Sequence, residues 1–458
     1  MSAAVAQPGA INPRTRLLLD GPILGTLLRL SWPNTLVMLA QASVGLIETW
    51  WVSHLGTDAL AGIALVFPGY MLMTMLSAGA IGGGIASAVA RALGARRTDD
   101  ADALVLHALV VNGLLGLAFA ALFIGFGRPI YAAMGGEGAA LEAALRYSDV
   151  VFAGGLLLWL GNALASVLRG GGNMLLPSVA VIAGVVLLVP LSPLLIYGWG
   201  PVPAYGVAGA GYAVVLSTAI IMSVLAWAMG AGRSVARLRL VPLRWRIFAS
   251  ILGVGAVAAV NTVQTTLTVV LTTALVARAG GAEGVAGYGV GSRLEYLLVP
   301  LVFGLGAPLV ALVGTNIGAG QRDRALRVAM LGGGIAFALT EAVGLAAAIW
   351  PEAWLGLFSD DPTLLSVGAD YLRRVGPAYG FFGLGLALYF ASQGAGRLLW
   401  PLVASVVRMI VAVAGGWLAY AVTGDLAWVF AAVGAAMVIY GVGLAAIIGS
   451  GAWFRGQR

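Results

Sequence analysis

Apolar residues fall into twelve long stretches, near 27–51, 60–86, 103–126, 147–168, 175–198, 206–230, 248–277, 287–313, 328–350, 372–394, 399–421 and 426–450. Each runs to about 20 residues or more, the length at which a helix crosses a hydrocarbon core of ~30 Å. None alternates apolar with polar positions, as the roughly ten-residue strands of a membrane barrel must. The pattern predicts an all-α polytopic membrane protein with twelve transmembrane helices. Composition excludes a soluble alternative: 60% of the 458 residues are hydrophobic and 9% are charged, against roughly 25% charged in soluble domains. Mean hydropathy is +0.98.

Charge then orients the spans. The connections and tails holding Arg14, Arg16, Arg91, Arg96, Arg97, Arg169, Arg233, Arg237, Arg239, Arg244, Arg246, Arg322, Arg324, Arg327, Arg397, Arg455 and Arg458 all fall on one side. The opposite connections hold Arg128, Arg146, Arg278, Arg373, Arg374 and the acidic "FSDDP" at 358–362. Basic loops stay in the cytoplasm, so both termini are expected there. The net charge of +7 is then loop charge and not the footprint of a nucleic-acid partner. Residues 1–26 read as a cytoplasmic tail, because no apolar segment of a signal peptide follows Arg14 and Arg16. The chain divides into a first half at 27–230, a basic cytoplasmic linker at 231–247, a second half at 248–450 and a tail at 451–458.

The halves repeat. A constant shift of 224 pairs Tyr147 with Tyr371, Gly170 with Gly394, Gly172 with Gly396, Pro177 with Pro401 and Ala180 with Ala404. The same shift pairs Gly94-Ala95 with Gly318-Ala319, and a shift of 225 pairs Ala61-Gly62 with Ala286-Gly287. Six spans per half return the chain to its starting side, so the two six-helix repeats are parallel. Such repeats hold a substrate site near the midplane between them. Glycine-rich breaks at 79–84 and 304–308 correspond between the halves. They suit a transporter cavity, or close helix packing through small residues.

Polar groups in the spans carry the candidate chemistry. Glu48, Glu295 and Glu341 are acids at membrane depth, where ionisable residues are rare and face a cavity or the bundle interior. Asn34, Gln41 and Glu48 recur every seven residues, so they share one helical face. Asn261, Thr265, Thr268 and Thr272, at spacings of four, three and four, share a face of the matching helix in the second half. The two stripes are expected to line one cavity, with interhelical hydrogen bonding as the structural alternative. Glu48 is the expected cation-coupling residue, and Glu295 and Glu341 are possible second coupling or substrate acids.

Other chemistry lacks its residues. With no cysteine and only two histidines, His54 and His107, neither a disulfide nor a metal centre is expected. No phosphate-binding loop of the GxxxxGK[ST] kind occurs, which argues against ATP-driven transport. No Ser/His/Asp constellation suggests a membrane-embedded hydrolase, and no cofactor is expected beyond a coupling ion.

"SWPN" at 31–34, "ETWWVSHLGTDALAGIAL" at 48–65, "VGTNIGAGQRDRA" at 313–325, "FSDDPTLLSVGADYLR" at 358–373 and "FASQGAGRLLWP" at 390–401 resemble multidrug and toxic compound extrusion (MATE) transporters. The resemblance implies two six-helix lobes forming a V-shaped bundle. It also implies export of bulky, cationic or amphipathic organic compounds by antiport with H⁺ or Na⁺, and no enzymatic activity. It makes Glu48, before Thr49, the coupling acid. Leu188, Ser192 and Val214 stand where the family often has Asn, Asp and Thr, which favours H⁺ over a sodium ion needing several oxygen ligands. Sodium coupling and flipping of a lipid-linked substrate are the alternatives. A monomer in a bacterial inner membrane, contacting lipid and a small organic substrate, is the expected setting.

Overall fold

The computed structural model describes residues 12–454, apart from the side chains at 42, 43 and 46. The first eleven residues of the expected tail, and Arg455 and Arg458, lie outside the described residues. Helices account for nearly all of the described chain, with one isolated backbone bridge between Trp199 and Val202. That economy follows from lipid, which offers backbone groups no partner, so each segment must close its own hydrogen bonds.

A short helix α1 (Pro13–Asp20) precedes α2 (Ile23–Ser53), α3 (Thr57–Gly94), α4 (Thr98–Ala133), α5 (Gly138–Ala153), α6 (Gly155–Gly170), α7 (Leu175–Tyr197) and α8 (Val207–Gly230). The second half holds α9 (Trp245–Gly318), α10 (Arg322–Ile349), α11 (Pro362–Ala395), α12 (Leu399–Thr423) and α13 (Leu426–Gly449). Ten of these helices are long and apolar enough to cross a membrane. The pair α5 and α6, bent by 43° at Gly154, makes one further crossing. Helix α9, with 74 residues, would span ~110 Å if straight, several bilayers' worth. It breaks at Gly281, where φ is 61° and ψ −155°, a conformation open essentially to glycine. Its two arms are therefore two crossings, and the described residues supply the twelve spans the hydropathy pattern predicts.

Three apolar cores hold the bundle. One lies in the first half around Phe152 and Trp159, and another in the second half around Tyr371 and Phe430. The third joins the halves, gathering Leu18, Leu27 and Ala86 with Val254, Leu309 and Val313. Contacts at this joint repeat across the molecule. Gly94 lies so close to the Thr315 carbonyl that no Cβ would fit, and Gly318 lies likewise against the carbonyl of Arg91. Residues 91 and 94 shifted by 224 are 315 and 318, so each contact is the image of the other. Gly170 against Ala86 and Gly394 against Val310 form a second such pair. Where the shift is 225, Gly62 meets Ala143 and Ala144 as Gly287 meets Val367 and Gly368. The spatial contacts thus obey the shift read from sequence.

Side-chain hydrogen bonds between the halves cluster at the end of the bundle that carries the termini. Ser87 donates to the Gly394 carbonyl at 3.0 Å, Gln393 Nε2 to Gly79 at 3.1 Å, and Asn316 Nδ2 to Leu18 at 3.1 Å. Arg324 also reaches the Gly21 carbonyl. The connection between halves is fastened to α4 at this same end. Asp102 accepts from the Arg237 amide at 2.7 Å and pairs with Arg239 at 3.0 Å. The His107 Nε2 accepts from the Arg244 amide at 2.8 Å.

The joint is testable because the chain has no cysteine of its own. Substituting Gly94→Leu overpacks the crossing at a cost of about 1–3 kcal/mol, enough to shift an opening equilibrium about 5–150-fold. A single cysteine placed at Val313, now 0% exposed, should then react faster with a polar maleimide. Unchanged labelling in monodisperse protein would show that the crossing does not hold this end shut.

Candidate functional site

Glu48 lies one and a half turns before the end of α2, on the side away from the joint. Its Oε1 is buried and has no hydrogen-bond partner. No basic group forms an ion pair with it among the described residues. The charged groups within its electrostatic reach include none of opposite sign; its neighbours are the phenols of Tyr70 on α3 and Tyr147 on α5. A carboxylate so placed has lost water and gained no donor at that oxygen, which is the setting in which a bound proton or cation is most welcome.

The α2 stripe does not share one environment. Asn34 is 5% exposed and donates from Nδ2 to the carbonyls of Phe303 and Gly304, at 3.0 and 3.2 Å. Proline 308 has no N–H, so the Gly304 carbonyl loses the donor four residues on; Asn34 replaces it from the other half. Gln41 is exposed. The stripe therefore runs from the joint, through Gln41, to Glu48.

The matching stripe on α9 is turned partly into its own half. Thr265 donates to the carbonyl of Asn261 at 2.9 Å, an internal back-bond, while the Asn261 Oδ1 is buried and unpartnered. Thr268 and Thr272 are buried at 8% and 4% exposure. Thr268 accepts from Gln264, which also donates to the Ser405 carbonyl of α12 at 3.0 Å. Gln264, absent from the sequence-based candidates, is the residue that fastens this face. It stands three residues after Asn261 and four before Thr268, at the same helical spacing as the stripe.

The two acids of the second half both grip α11. Glu341 accepts the Gly380 N–H at 2.7 Å. A 3₁₀ turn at Gly376–Ala378 gives the Gly376 carbonyl to Tyr379, leaving the Gly380 N–H without its usual acceptor. Glu341 supplies one, and as an anion at a helix N-terminus it also meets a favourable dipole. Glu295 instead accepts from the Tyr371 hydroxyl. Gly291, one turn earlier, leaves room for the Tyr371 ring, which a Cβ there would approach to 2.7 Å. Arg408 of α12 lies within electrostatic reach of Glu295. It was not among the sequence-based candidates, although a cation inside the apolar stretch 399–421 was a signal as direct as the acids.

Glu295 and Glu48 occupy related pockets. At the shift of 225 Glu295 corresponds to Tyr70, and at 224 Tyr371 corresponds to Tyr147. Both pockets combine an acid with these positions, but the acid rides on α2 in one and on the second arm of α9 in the other. Among the described residues no three acids or histidines gather as a metal site.

A twelve-span bundle of two repeated halves, with acids at membrane depth and one of them, Glu48, holding a buried oxygen without a partner, has the build of a carrier. The MatE family model matches residues 33–194 and again 256–418, and the chain belongs to that family of membrane transporters, which are not enzymes. A Shewanella oneidensis protein named "FAD transporter" is 26% identical over 86% of this chain and 87% of its own. A Deinococcus radiodurans protein named "Probable multidrug resistance protein NorM" is 31% identical over 69% of each chain. A solved structure, "Crystal structure of MATE in the bent conformation", superposes with a TM-score of 0.88 at 25% identity, covering 97% of this chain and 98% of that one.

The splice at Asn34 yields a prediction. Replacing Asn34 by Ala strands the buried Gly304 carbonyl and should lower stability in detergent by about 1–3 kcal/mol. Adding Pro308→Ala restores an N–H to the helix and should recover part of that loss. A loss of the same size with and without the proline would break the link between the two residues.

Proposed function

We propose that the protein is a secondary active exporter of bulky cationic or amphipathic organic compounds, driven by inward movement of protons, with Glu48 carrying the proton. The observation that carries this reading is the buried Oε1 of Glu48 with neither donor nor counter-charge. A proton satisfies such an oxygen alone, whereas a sodium ion asks for several oxygen ligands. Leu188 and Val214, at positions where the family resemblance would put polar partners, supply no side-chain oxygen. Ser192 keeps a buried hydroxyl without a partner, one oxygen and not a shell.

The arginine asymmetry supports both termini being cytoplasmic, in the inner membrane of a bacterium. On this reading the joint closes the cytoplasmic end, and Glu48, at the other end of α2, belongs to the side from which protons enter. The protein acts as a monomer, since the site is complete within one chain. Glu341, engaged as a helix splice, is left out of the coupling. The Shewanella relative's name adds flavin nucleotides to the compounds worth testing.

Purified protein in liposomes decides the matter. Efflux of a fluorescent organic cation, and of FAD, is followed under an imposed pH gradient or an imposed sodium gradient. The pH gradient should accelerate efflux, and Glu48→Gln should reduce that acceleration by about 5–150-fold, the span of ordinary coupling energies. Acceleration by sodium at equal pH overturns the proton assignment. A full pH response in Glu48→Gln overturns the role of Glu48.

A further inference from the structure

Arg408 is an intramembrane charge with no part in the coupling just described. It stands on α12 immediately before a π-helical stretch at Val411–Gly415. Its guanidinium carbon lies 5.5 Å from the ring centre of Phe382 and 5.3 Å from that of Tyr440. Nε is buried without a hydrogen-bond partner, and among the described residues no acid approaches Arg408 to ion-pairing distance. A guanidinium does not deprotonate in a protein. Stacking on aromatic faces recovers only part of the hydration lost at Nε, and an anion within the same half would balance the charge.

The acid within electrostatic reach of Arg408 is Glu295. Its carboxylate is held by the Tyr371 hydroxyl. The other titratable groups facing the pair are phenols: Tyr288 and Tyr296 on α9, Tyr379 on α11 and Tyr440 on α13. Phenols carry no charge near neutral pH, so none of them can balance either member. A proton on Glu295 would leave Arg408 as a bare cation at membrane depth. Glu48 faces no such constraint, because among the described residues no arginine pairs with it.

We propose that Arg408 is the tethered counter-ion of Glu295, filling the place of a coupling cation in the second half, so that each transport cycle carries one proton and carries it at Glu48. The inference rests on the proton-coupled reading above. It predicts what a second buried acid contributes to the proton count, which that reading leaves open.

Proton stoichiometry measured from the reversal potential of substrate flux in liposomes tests it. Wild type and Glu295→Gln should both move one proton per substrate, whatever the variant loses in rate. Arg408→Gln strips the acid of its counter-ion and should raise the count to two. The double variant Glu295→Gln/Arg408→Gln, and Arg408→Lys, should return it to one. A wild-type count of two that falls to one in Glu295→Gln overturns the inference, as does a folded, active Arg408→Gln that still moves one. If Arg408→Gln does not fold, the wild-type and Glu295→Gln counts decide alone. Loss of all pH response in wild type is a different result, and it sinks the coupling reading itself.

Discussion

A helix that bends inside hydrocarbon exposes backbone groups that no solvent will satisfy, and the architecture turns on how those groups are met. Three bends are spliced by side chains from other spans. Pro308 frees the Gly304 carbonyl and Asn34 donates to it. The π-helical stretch at Met75–Ile81 loosens α3, and Gln393 donates to its Gly79 carbonyl. The 3₁₀ turn before Gly380 frees an N–H that Glu341 accepts. The first two splices run between the halves. The same residues that let spans α3 and α9 bend therefore also bind one half to the other, and they do so at a single end of the bundle.

Between helices in lipid there is no hydrophobic effect to draw surfaces together, so close packing and hydrogen bonds must serve. The joint is built accordingly from glycines set against backbone carbonyls. Because the contacts of Gly94 and Gly318 are images of each other, the joint has the self-complementary form of a two-fold interface within one chain. Such an interface can open without favouring either half, since each side gives up the same contacts. The basic connection is tied to the first half through Asp102 and His107 of α4.

Spans, repeat and the burial of Glu48 were legible because hydropathy, periodicity and the cost of a buried charge are properties of short stretches. What each polar residue touches was not. Asn34 and Pro308 are far apart in sequence, and nothing local says that one repairs what the other removes. Glu341 reads as a functional acid until α11 is seen to break beside it. The α9 stripe had the right period, yet Gln264, which fits the same helical spacing between Asn261 and Thr268, was passed over, and its bond to α12 fixes the orientation. Arg408 was legible on the same physical ground as the acids, and a survey of acids alone passes over it.

Duplication supplied two similar pockets, and the charges within them have diverged. The position of Glu48 falls on Thr272 or Thr273 in the second half, that of Glu295 on Tyr70 in the first, and that of Arg408 on Gly184. Gly184 lies against the Ile221 side chain, which would have to give way to any side chain placed there, and the first half carries no cation at the matching place. One pocket thus holds an acid with no basic group paired to it among the described residues, and the other holds an acid with an arginine within electrostatic reach. On the reading proposed above, a gradient acts on the first and not on the second. The two copies of one bundle would then differ in which helix bears the carboxylate and in whether an arginine stands near it.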